Sequence, residues 1–341
     1  MAEIKNYTLN FGPQHPATHT TLRLVLELDG ERIARCTPHI GYLHSGFEKL
    51  GEDLDYNQYV TIVDRMNYIS PIMNEIAWFH VVEKLMGIEL TPRAKYLRVL
   101  LGELARISDH LLCAGAAALD LGGFTPFLYA FNQREYLYDI FEAAAGQRFH
   151  PSYFRVGGMF TDVGDDFIRK VRDFVKNFPK AHADVTRLLN RNRIFVERTR
   201  GIGVLSKEDA INWSCTGPIA RASGVVRDLR KDEPYLAYAD FDFKVICSDE
   251  GDCYARYLVR MEEMLESLKI IDACIENLPA GPINVDVESK AVLPDQQAVY
   301  RSIESLIQHF ELVMPNRQWQ PPVDEVDGAV ESPNGGLGFY I

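Results

Sequence analysis

The order of polar and apolar residues divides the chain into a short alternating part and a long part with helical spacing. Residues 22–28 alternate, Asp29-Gly30 follows, and a second strand-like run occupies residues 31–36. Asp-Gly between two alternating runs is a strong β-hairpin signal, and residues 7–11 form a weaker candidate strand. The N-terminal part is therefore predicted to be β-structure.

Helical spacing dominates from residue 71 onward, where apolar residues recur every three or four positions. Thr91-Pro92 is typical of a helix N-cap and first turn, Ser206 resembles the start of a capping box, and Pro179 is expected to separate two helices. The longer predicted helices cover residues 72–86, 92–121, 127–145, 165–178, 181–189, 251–278 and 299–313, and a strand is expected at 335–341.

These elements predict a mainly helical α+β fold. We expect a single domain over residues 1–341, in which residues 1–70 form an N-terminal β part with loops and residues 71–341 form a helical body. No internal repeat or low-complexity linker interrupts the sequence.

Composition and charge exclude several classes of protein. The 341 residues carry a formal net charge of −12, which argues against nucleic acid as the main partner, because phosphate binding needs a basic face. No apolar run is long enough to span a bilayer, and the N-terminus does not resemble a signal peptide. We therefore expect a chain soluble in water, or the soluble part of a larger assembly.

Nucleotide, disulfide and iron–sulfur motifs are also missing from the sequence. There is no GxGxxG or Walker A loop, so a standard phosphate cradle is unsupported. The six cysteines form no CxxC pair and indicate neither a disulfide framework nor a cluster ligand set.

The most informative stretch is NFGPQHPATHTTLR at residues 10–23, where Pro13 and Pro16 stiffen the loop that carries His15 and His19 and Gly12 allows a tight turn. A stiff loop that places imidazoles suits binding or proton transfer. A solvent-facing turn is the plain alternative. A zinc site is a third, because the two histidines are spaced i, i+4, although no HExxH glutamate or further ligand cluster accompanies them.

Other polar residues lie at element boundaries. Asp120 ends an apolar helical run, where a carboxylate faces the negative end of the helix dipole and is usually paired or has a raised pKa. A histidine partner would suit Asp120, and a solvent-facing aspartate is the alternative. Tyr68 precedes Pro71 at a loop–helix junction, and His150 is followed by Pro151; each is equally compatible with an ordinary core or turn role.

This set contains no obvious nucleophile. It can donate hydrogen bonds to two carbonyl groups and pass on protons, which fits a redox ligand supplied with electrons from elsewhere better than it fits a hydrolase.

Seven motifs in order along the chain resemble one family, the quinone-site subunit of respiratory complex I, also called its 49-kilodalton or D subunit. They are NFGPQHPATH at 10–19, PHIGYLHSGFEK at 38–49, DLGGFTPF at 120–127, FHPSYFRVGG at 149–158, RASG at 221–224, DLRK at 228–231 and GDCYARY at 251–257. That family is similar to the large subunit of nickel–iron hydrogenases with the nickel cysteines lost, which implies a hydrogenase-large-subunit-like fold.

The resemblance implies a function and a set of site residues. His19 and Tyr68 would bind the two quinone carbonyls, and Asp120 would pair with His19. Arg65 and His150 would lie near the iron–sulfur cluster of a neighbouring subunit. The loop of residues 39–50 would line the quinone chamber, and its chamber residues are His39, His44, Gly46 and Glu48.

The same resemblance implies partners and a location. The chain would take part in proton-coupled quinone reduction within proton-pumping NADH:quinone oxidoreductase. It would hold no metal or flavin and no NADH itself. Its partners would be the small iron–sulfur quinone-site subunit, a 30 kDa-type subunit and a membrane-arm subunit. It would be a peripheral membrane protein on the cytoplasmic side of a bacterial inner membrane, or on the equivalent organelle face.

Two departures from the family pattern keep other functions open. The family usually continues beyond the GLGFYI motif, whereas this chain ends at Ile341, and Gly336 stands where the family usually has Glu. A truncated structural or assembly subunit without quinone binding is therefore an alternative. An equivalent subunit of a ferredoxin-dependent relative would carry the same residues, and a free-standing nickel–iron hydrogenase would need two cysteine pairs.

Overall fold

A computed structural model describes residues 7–286, 291–314, 322 and 324–341. Its contacts divide the chain into two compact units, one reaching to Leu54 and one beginning at Asp55. The fold is a mainly helical α+β fold, and the small antiparallel sheet predicted near the N-terminus is confirmed. Within the part of the chain that the structure describes, no helix is both long and apolar enough to cross a membrane.

The first unit is a three-stranded antiparallel meander of β1 (Tyr7–Phe11), β2 (Arg23–Asp29) and β3 (Arg32–His39). Asp29 pairs with Arg32, so Gly30 and Glu31 are the two turn residues and Asp29 is the last residue of its strand. Gly30 has φ +63°, which a glycine adopts without strain. A short helix, α1 (Phe47–Gly51), follows the sheet.

The second unit contains the remaining helices and two short hairpins. Its first helices are α2 (Val60–Val63), α3 (Pro71–Met86), α4 (Pro92–Asp120) and α5 (Phe124–Ala145), followed by strands β4 (Phe154–Arg155) and β5 (Gly158–Met159). The chain continues through α6 (Asp165–Asn190), α7 (Arg193–Thr199), α8 (Lys207–Asn212), α9 (Gly217–Ala222), α10 (Leu229–Asp232), α11 (Cys253–Glu276), α12 (Gln296–Val299) and α13 (Ile303–Val313) to the hairpin β6 (Asp327–Ser332) and β7 (Gly335–Tyr340).

Helix α4 is the centre of this unit and packs against α5 and α11. It begins as predicted, since the Thr91 hydroxyl accepts a hydrogen bond from the Ala94 N–H at 3.2 Å. Every residue from Leu97 to Leu111 is buried, which is the burial expected of a helix covered on all sides. The hairpin β6–β7 packs on α3, with Phe339 edge-on to Trp78.

The predicted break at Pro179 is wrong, because α6 runs unbroken through it. Proline removes one backbone N–H donor, but the apolar stripe continues at helical spacing on both sides of it. Phe174 and Phe178 before the proline and Val185 and Leu189 after it are all buried. Burial of this continuous stripe outweighs the lost hydrogen bond.

The helix predicted at residues 299–313 corresponds to α13, which begins four residues later at Ile303; only Val299 of the predicted range belongs to the preceding short helix α12. Ser302 separates them, because its backbone is extended and its hydroxyl accepts a hydrogen bond from the Ser305 N–H that caps α13. The apolar spacing continues across the start of α13, so the N-cap residue Ser302 indicates the helix boundary better than the spacing does.

Candidate functional site

The histidine loop of the first unit is fixed by its own hydrogen bonds. Gly12 has φ +79°, and a Cβ there would lie 2.3 Å from the Leu22 carbonyl oxygen, so only glycine fits. The buried Thr18 hydroxyl lies 3.1 Å from the Pro13 carbonyl oxygen and 3.0 Å from that of His15. These contacts close a turn of 3₁₀ helix, Pro16–Thr18.

The two histidines of this loop have different settings. The His15 ring accepts a hydrogen bond from the Ala17 N–H at 3.1 Å and lies 4.2 Å from the Phe11 ring, so it caps the turn. His19 is exposed, follows the turn in the left-handed conformation at φ 51°, and its N–H donates to Pro16. Across the described residues no group of three or more His, Cys, Asp or Glu side chains is arranged to hold a metal ion.

The predicted chamber loop follows β3. His39 ends the strand, and His44 and Glu48 are exposed. Gly46 has φ +66° and is the residue before α1. The same stretch exposes apolar side chains, with Ile40 at 84% of its full exposure. A segment of this kind presents both imidazoles and apolar surface outward.

Tyr68 lies in the second unit, on the turn that leads into α3. The buried Asn74 amide donates to the backbone carbonyls of Val63, Asp64 and Asn67 at 3.0–3.3 Å. These three bonds fix the backbone of the turn from inside the protein. Tyr68 itself is 46% exposed, so its phenol is presented on a rigid support.

Arg65 and His150 are brought together at this turn. The His150 Nδ1 lies 3.2 Å from the Asp64 carbonyl oxygen and donates to it, since a carbonyl only accepts. Burial, and then the charge of the exposed Arg65, lower the pKa of His150. The imidazole is thus neutral near pH 7 and lies beside a guanidinium.

Two buried carboxyl groups that bind the backbone next to His150 were not singled out from the sequence. Asp64 and Glu75 are fully buried and bind the backbone of the segment that follows His150. Asp64 directly precedes Arg65, and Glu75 stands between apolar residues in the first half of α3, a helix that also carries Glu83 and Lys84. A carboxylate among apolar residues was the available signal.

Asp120 is the last residue of α4 and is exposed. The helix ends there because the Gly123 N–H donates to the Ala118 carbonyl at 2.7 Å, and Gly122 follows with φ +89°. The predicted position of Asp120 at a helix C-terminus is confirmed, and its pairing with His19 stays a prediction.

A network of buried ions surrounds the middle of α4. Glu103 accepts hydrogen bonds from Arg106, Arg230, Tyr238 and Ser267 at 2.6–3.3 Å. Burial raises the pKa of Glu103, but the guanidiniums of Arg106 and Arg230 outweigh it and lower the pKa to about 2. Glu103 is therefore a carboxylate at every physiological pH.

The network continues through Arg221, whose guanidinium donates to Glu263 and to Glu331, each at 2.7 Å. The His110 Nε2 lies 2.9 Å from the Glu263 carboxylate and donates to it. Burial lowers the pKa of His110 to about 4, so this histidine is neutral near pH 7. Arg221 belongs to one of the sequence motifs but had no predicted role, and no local pattern indicated that these residues meet.

A family model and several individual proteins are similar to this chain. The family model described as "Respiratory-chain NADH dehydrogenase, 49 Kd subunit" matches residues 120–341. The D 2 subunit of NADH-quinone oxidoreductase from Sinorhizobium medicae is 50% identical over 337 residues, which cover 99% of this chain and 83% of the relative. The D subunit of the same oxidoreductase from Ehrlichia chaffeensis is 47% identical over 339 residues, covering 99% and 86%. The corresponding protein of Methylacidiphilum infernorum is 46% identical over 333 residues, covering 98% and 79%.

Proposed function

The chain belongs to the family of the 49 kDa subunit of respiratory-chain NADH dehydrogenase, and from this premise we propose that it binds a quinone headgroup and supports its reduction. His19 and Tyr68 donate hydrogen bonds to the two carbonyl oxygens. Asp120 pairs with His19 and tunes its proton affinity. The family likeness supports these roles, and so does the exposure of both His19 and Tyr68.

The observation that carries the proposal is the Tyr68 turn. A half-exposed tyrosine is ordinary by itself. The backbone of the turn that carries Tyr68, however, is held by three hydrogen bonds from the buried Asn74 amide. A donor that is fixed before the substrate arrives stabilises developing charge without reorganising. Negative charge develops on the quinone oxygens as electrons arrive, so a phenol O–H carried on a fixed backbone is suited to that position.

The proposed reaction is a two-electron, two-proton reduction of quinone to quinol. The electrons come from an iron–sulfur cluster in a neighbouring small subunit, near Arg65 and His150. The residues of this chain deliver protons to the two oxygens, from Tyr68 on one side and His19 on the other. This chain itself holds no metal or flavin, and quinone is its substrate.

The proposed setting is the assembled oxidoreductase. The partners are the small iron–sulfur subunit, a 30 kDa-type subunit and a membrane-arm subunit. We place the chain at the membrane surface, on the cytoplasmic side in bacteria or the equivalent organelle face, with residues 39–50 lining the quinone chamber. We further propose that both units belong to one hydrogenase-large-subunit-like domain.

The test is a hydroxyl deletion, Tyr68→Phe, in the assembled complex. Loss of one fixed donor to a developing oxyanion is expected to lower kcat for quinone reduction by on the order of 10²-fold. The measurement is quinone reductase activity of membranes that carry the variant, with equal complex content.

The matched control is Tyr300→Phe, which removes a hydroxyl from a tyrosine that is 82% exposed. It is expected to leave activity unchanged. If Tyr68→Phe membranes keep the activity of the control at equal complex content, the proposed role of the phenol is wrong.

A further inference from the structure

Asp109 is a fully buried carboxyl group in the second half of α4, and it has no part in the proposed reaction. Burying a charge is costly unless hydrogen bonds or opposite charges compensate for it. Burial raises the pKa of Asp109 to about 6, against the opposing effects of the Ser70 hydroxyl and of the Arg260 charge. Asp109 is therefore mainly a carboxylate near pH 7, and its hydrogen-bond donors indicate what it holds in place.

The turn that carries Tyr68 supplies two of these donors. The Ser70 N–H donates to the Asn67 carbonyl at 3.1 Å and closes this turn, which places Tyr68 at its first central position. Asn67 and Ser70 are the two ends of the turn, and the side chains of both donate to the Asp109 carboxyl that faces them. Asp109 thus contacts the turn on each side of Tyr68.

The Ser70 hydroxyl needs an acceptor at this place. Ser70 is the N-cap residue of α3, where a serine oxygen usually accepts from a helix N–H. Here its oxygen accepts from the Asn67 side-chain amide at 2.7 Å, and the whole residue is buried. Its own O–H cannot reach water, and the Asp109 carboxylate is the acceptor that faces it. The cap residue therefore depends on an acceptor at position 109.

Asp109 also holds the tip of the β6–β7 hairpin. The Asn334 side-chain amide donates to Asp109 Oδ2 at 3.2 Å, and Asn334 is one of the two turn residues of this hairpin. The tip has a second anchor, because the Gly336 N–H donates to the Thr216 hydroxyl at 2.9 Å. One carboxylate on α4 therefore joins two turns that are far apart in the chain.

We propose that Asp109 is a positioning residue for Tyr68, which holds the turn that presents the phenol and ties that turn to the hairpin tip at Asn334. This inference rests on the proposed function, since it deepens the role given to Tyr68. The Asn74 amide fixes the backbone of the turn from α3, and Asp109 fixes its two ends from α4. A shift of the hairpin tip reaches the phenol through this carboxylate, so the position of the hairpin affects quinone reduction.

Asp109→Asn tests the carboxylate with almost no change of shape. The amide keeps one oxygen as an acceptor and makes the other position a donor, so it cannot serve both Ser70 and Asn334. Asn334→Ala removes only the donor at the hairpin tip, and it tests the proposal if Asp109→Asn fails to assemble. The matched controls are Asp173→Asn and Asn132→Ala, both at exposed positions.

The first readout is amide hydrogen exchange of the assembled complex without quinone, followed in peptides that cover residues 66–74. Asp109→Asn is expected to exchange several-fold faster there than Asp173→Asn, because one donor of the turn loses its acceptor. Asn334→Ala is expected to exceed Asn132→Ala by a smaller factor. Exchange in each variant equal to that of its control would show that the carboxylate does not hold the turn and would overturn the proposal.

The second readout is kcat for quinone reduction in a double-mutant cycle with Tyr68→Phe. Alone, Asp109→Asn is expected to lower kcat about tenfold, less than the ~10²-fold cost of a 1 Å misplacement of reacting groups. Combined with Tyr68→Phe it is expected to lower kcat no further, because the hydroxyl that it positions is already missing. The same factor in both backgrounds would show a general structural defect and overturn the positioning role.

Failure of the quinone proposal is seen separately from failure of this inference. Tyr68→Phe membranes with the full activity of the Tyr300→Phe control overturn the proposed function, whatever the exchange experiment gives. Unchanged exchange in Asp109→Asn, beside a Tyr68→Phe variant that has lost activity, overturns only the inference about Asp109.

Discussion

At the scale of single residues, Gly158 shows how little room surrounds the segment that carries His150. A Cβ at Gly158 would lie 1.9 Å from the Asn284 side-chain oxygen and 2.5 Å from the Ile283 backbone oxygen. The Asn284 oxygen is also held in place as the acceptor of the Met159 N–H at 2.8 Å. Neither atom can move freely, so even a methyl group is too large.

We expect Gly158→Ala to lower the free energy of unfolding by about 1–3 kcal/mol, the usual cost of forcing atoms into a packed site. Gly336→Ala is the control, since a Cβ there would make only ordinary contacts with Thr216, at 3.8 Å and beyond. Thermal unfolding of the purified chain gives the comparison. Equal Tm values for the two variants would contradict the expected clash.

The sequence singled out some residues of the candidate site and passed over others for a physical reason. Tyr68 lies three residues before Pro71 and His150 directly before Pro151, and such positions are visible in a pattern of residue types. Glu75 is visible only as a charge within a helix. Its carboxyl group accepts from the N–H groups of Tyr153 and Phe154, which lie far along the chain, and no local pattern reports that contact.

At the scale of elements, one buried ion pair joins α3 to α4 in addition to their apolar packing. The fully buried Arg98 guanidinium makes two bonds of 2.8 Å to the Glu83 carboxylate. It also donates to the Arg155 and Gly158 carbonyls beside the β4–β5 hairpin. Arg98 therefore joins two helices and the hairpin that follows His150.

Arg98→Leu is expected to cost about 3–5 kcal/mol of stability, because it leaves Glu83 buried and unpaired. The double variant Arg98→Leu/Glu83→Gln should lose less, since a neutral amide still accepts from the Gly157 N–H. Denaturant unfolding of the purified chain measures both. A double variant no more stable than Arg98→Leu would show that the unpaired charge is not the main cost.

Element boundaries followed capping chemistry more closely than periodicity. Thr91 fixed the start of α4, and Ser206 caps α8 by accepting from the Asp209 N–H at 3.0 Å, both as predicted. The break predicted at Pro179 was wrong because burial of the apolar stripe of α6 outweighed the local effect of the proline. The start predicted at residue 299 was wrong because the N-cap of α13, Ser302, lies inside an uninterrupted apolar pattern.

At the scale of the whole molecule, the buried ions make stability depend on acid pH. The pKa of Glu103 is depressed from its ordinary 4.5 to about 2. A depressed carboxyl pKa contributes stability that is fully present above pH 4.5 and is lost as the pH falls through about 2. This contribution links α4 to α10 and α11, so it belongs to the fold of the second unit.

Glu103→Gln should therefore unfold at a lower temperature than the wild type at pH 7, and the gap should shrink as the pH approaches 2. Thermal unfolding of both proteins from pH 7 to pH 2 measures it. A gap that stays constant over this range would show that the ionised form of Glu103 contributes nothing beyond its shape. Glu135→Gln, which changes an exposed carboxylate, is expected to have nearly the same Tm as the wild type at each pH.

The sequence predicts the fold class and the net charge of the whole molecule, but it does not predict where the charged residues lie in the fold. A mainly helical fold and a net charge of −12 follow from counting and periodicity. The position of the charges does not, since Glu103, Arg230 and Glu331 are far apart in the chain and meet only when it is folded. The structure shows that part of this charge lies in the interior, where it is paired.

The buried network of Glu103, Arg106, Arg221, Asp228, Arg230, Glu263 and Glu331 also restricts how this protein can evolve. Each member pairs with at least one group of opposite charge in the set, so the effect of a substitution depends on which residue occupies the partner position. A charge lost at one position is tolerated only with a compensating change at another, and the intermediate is less stable than either end state. Lineages of this chain are therefore expected to keep the set unchanged or to exchange members in pairs, with few accessible single steps between.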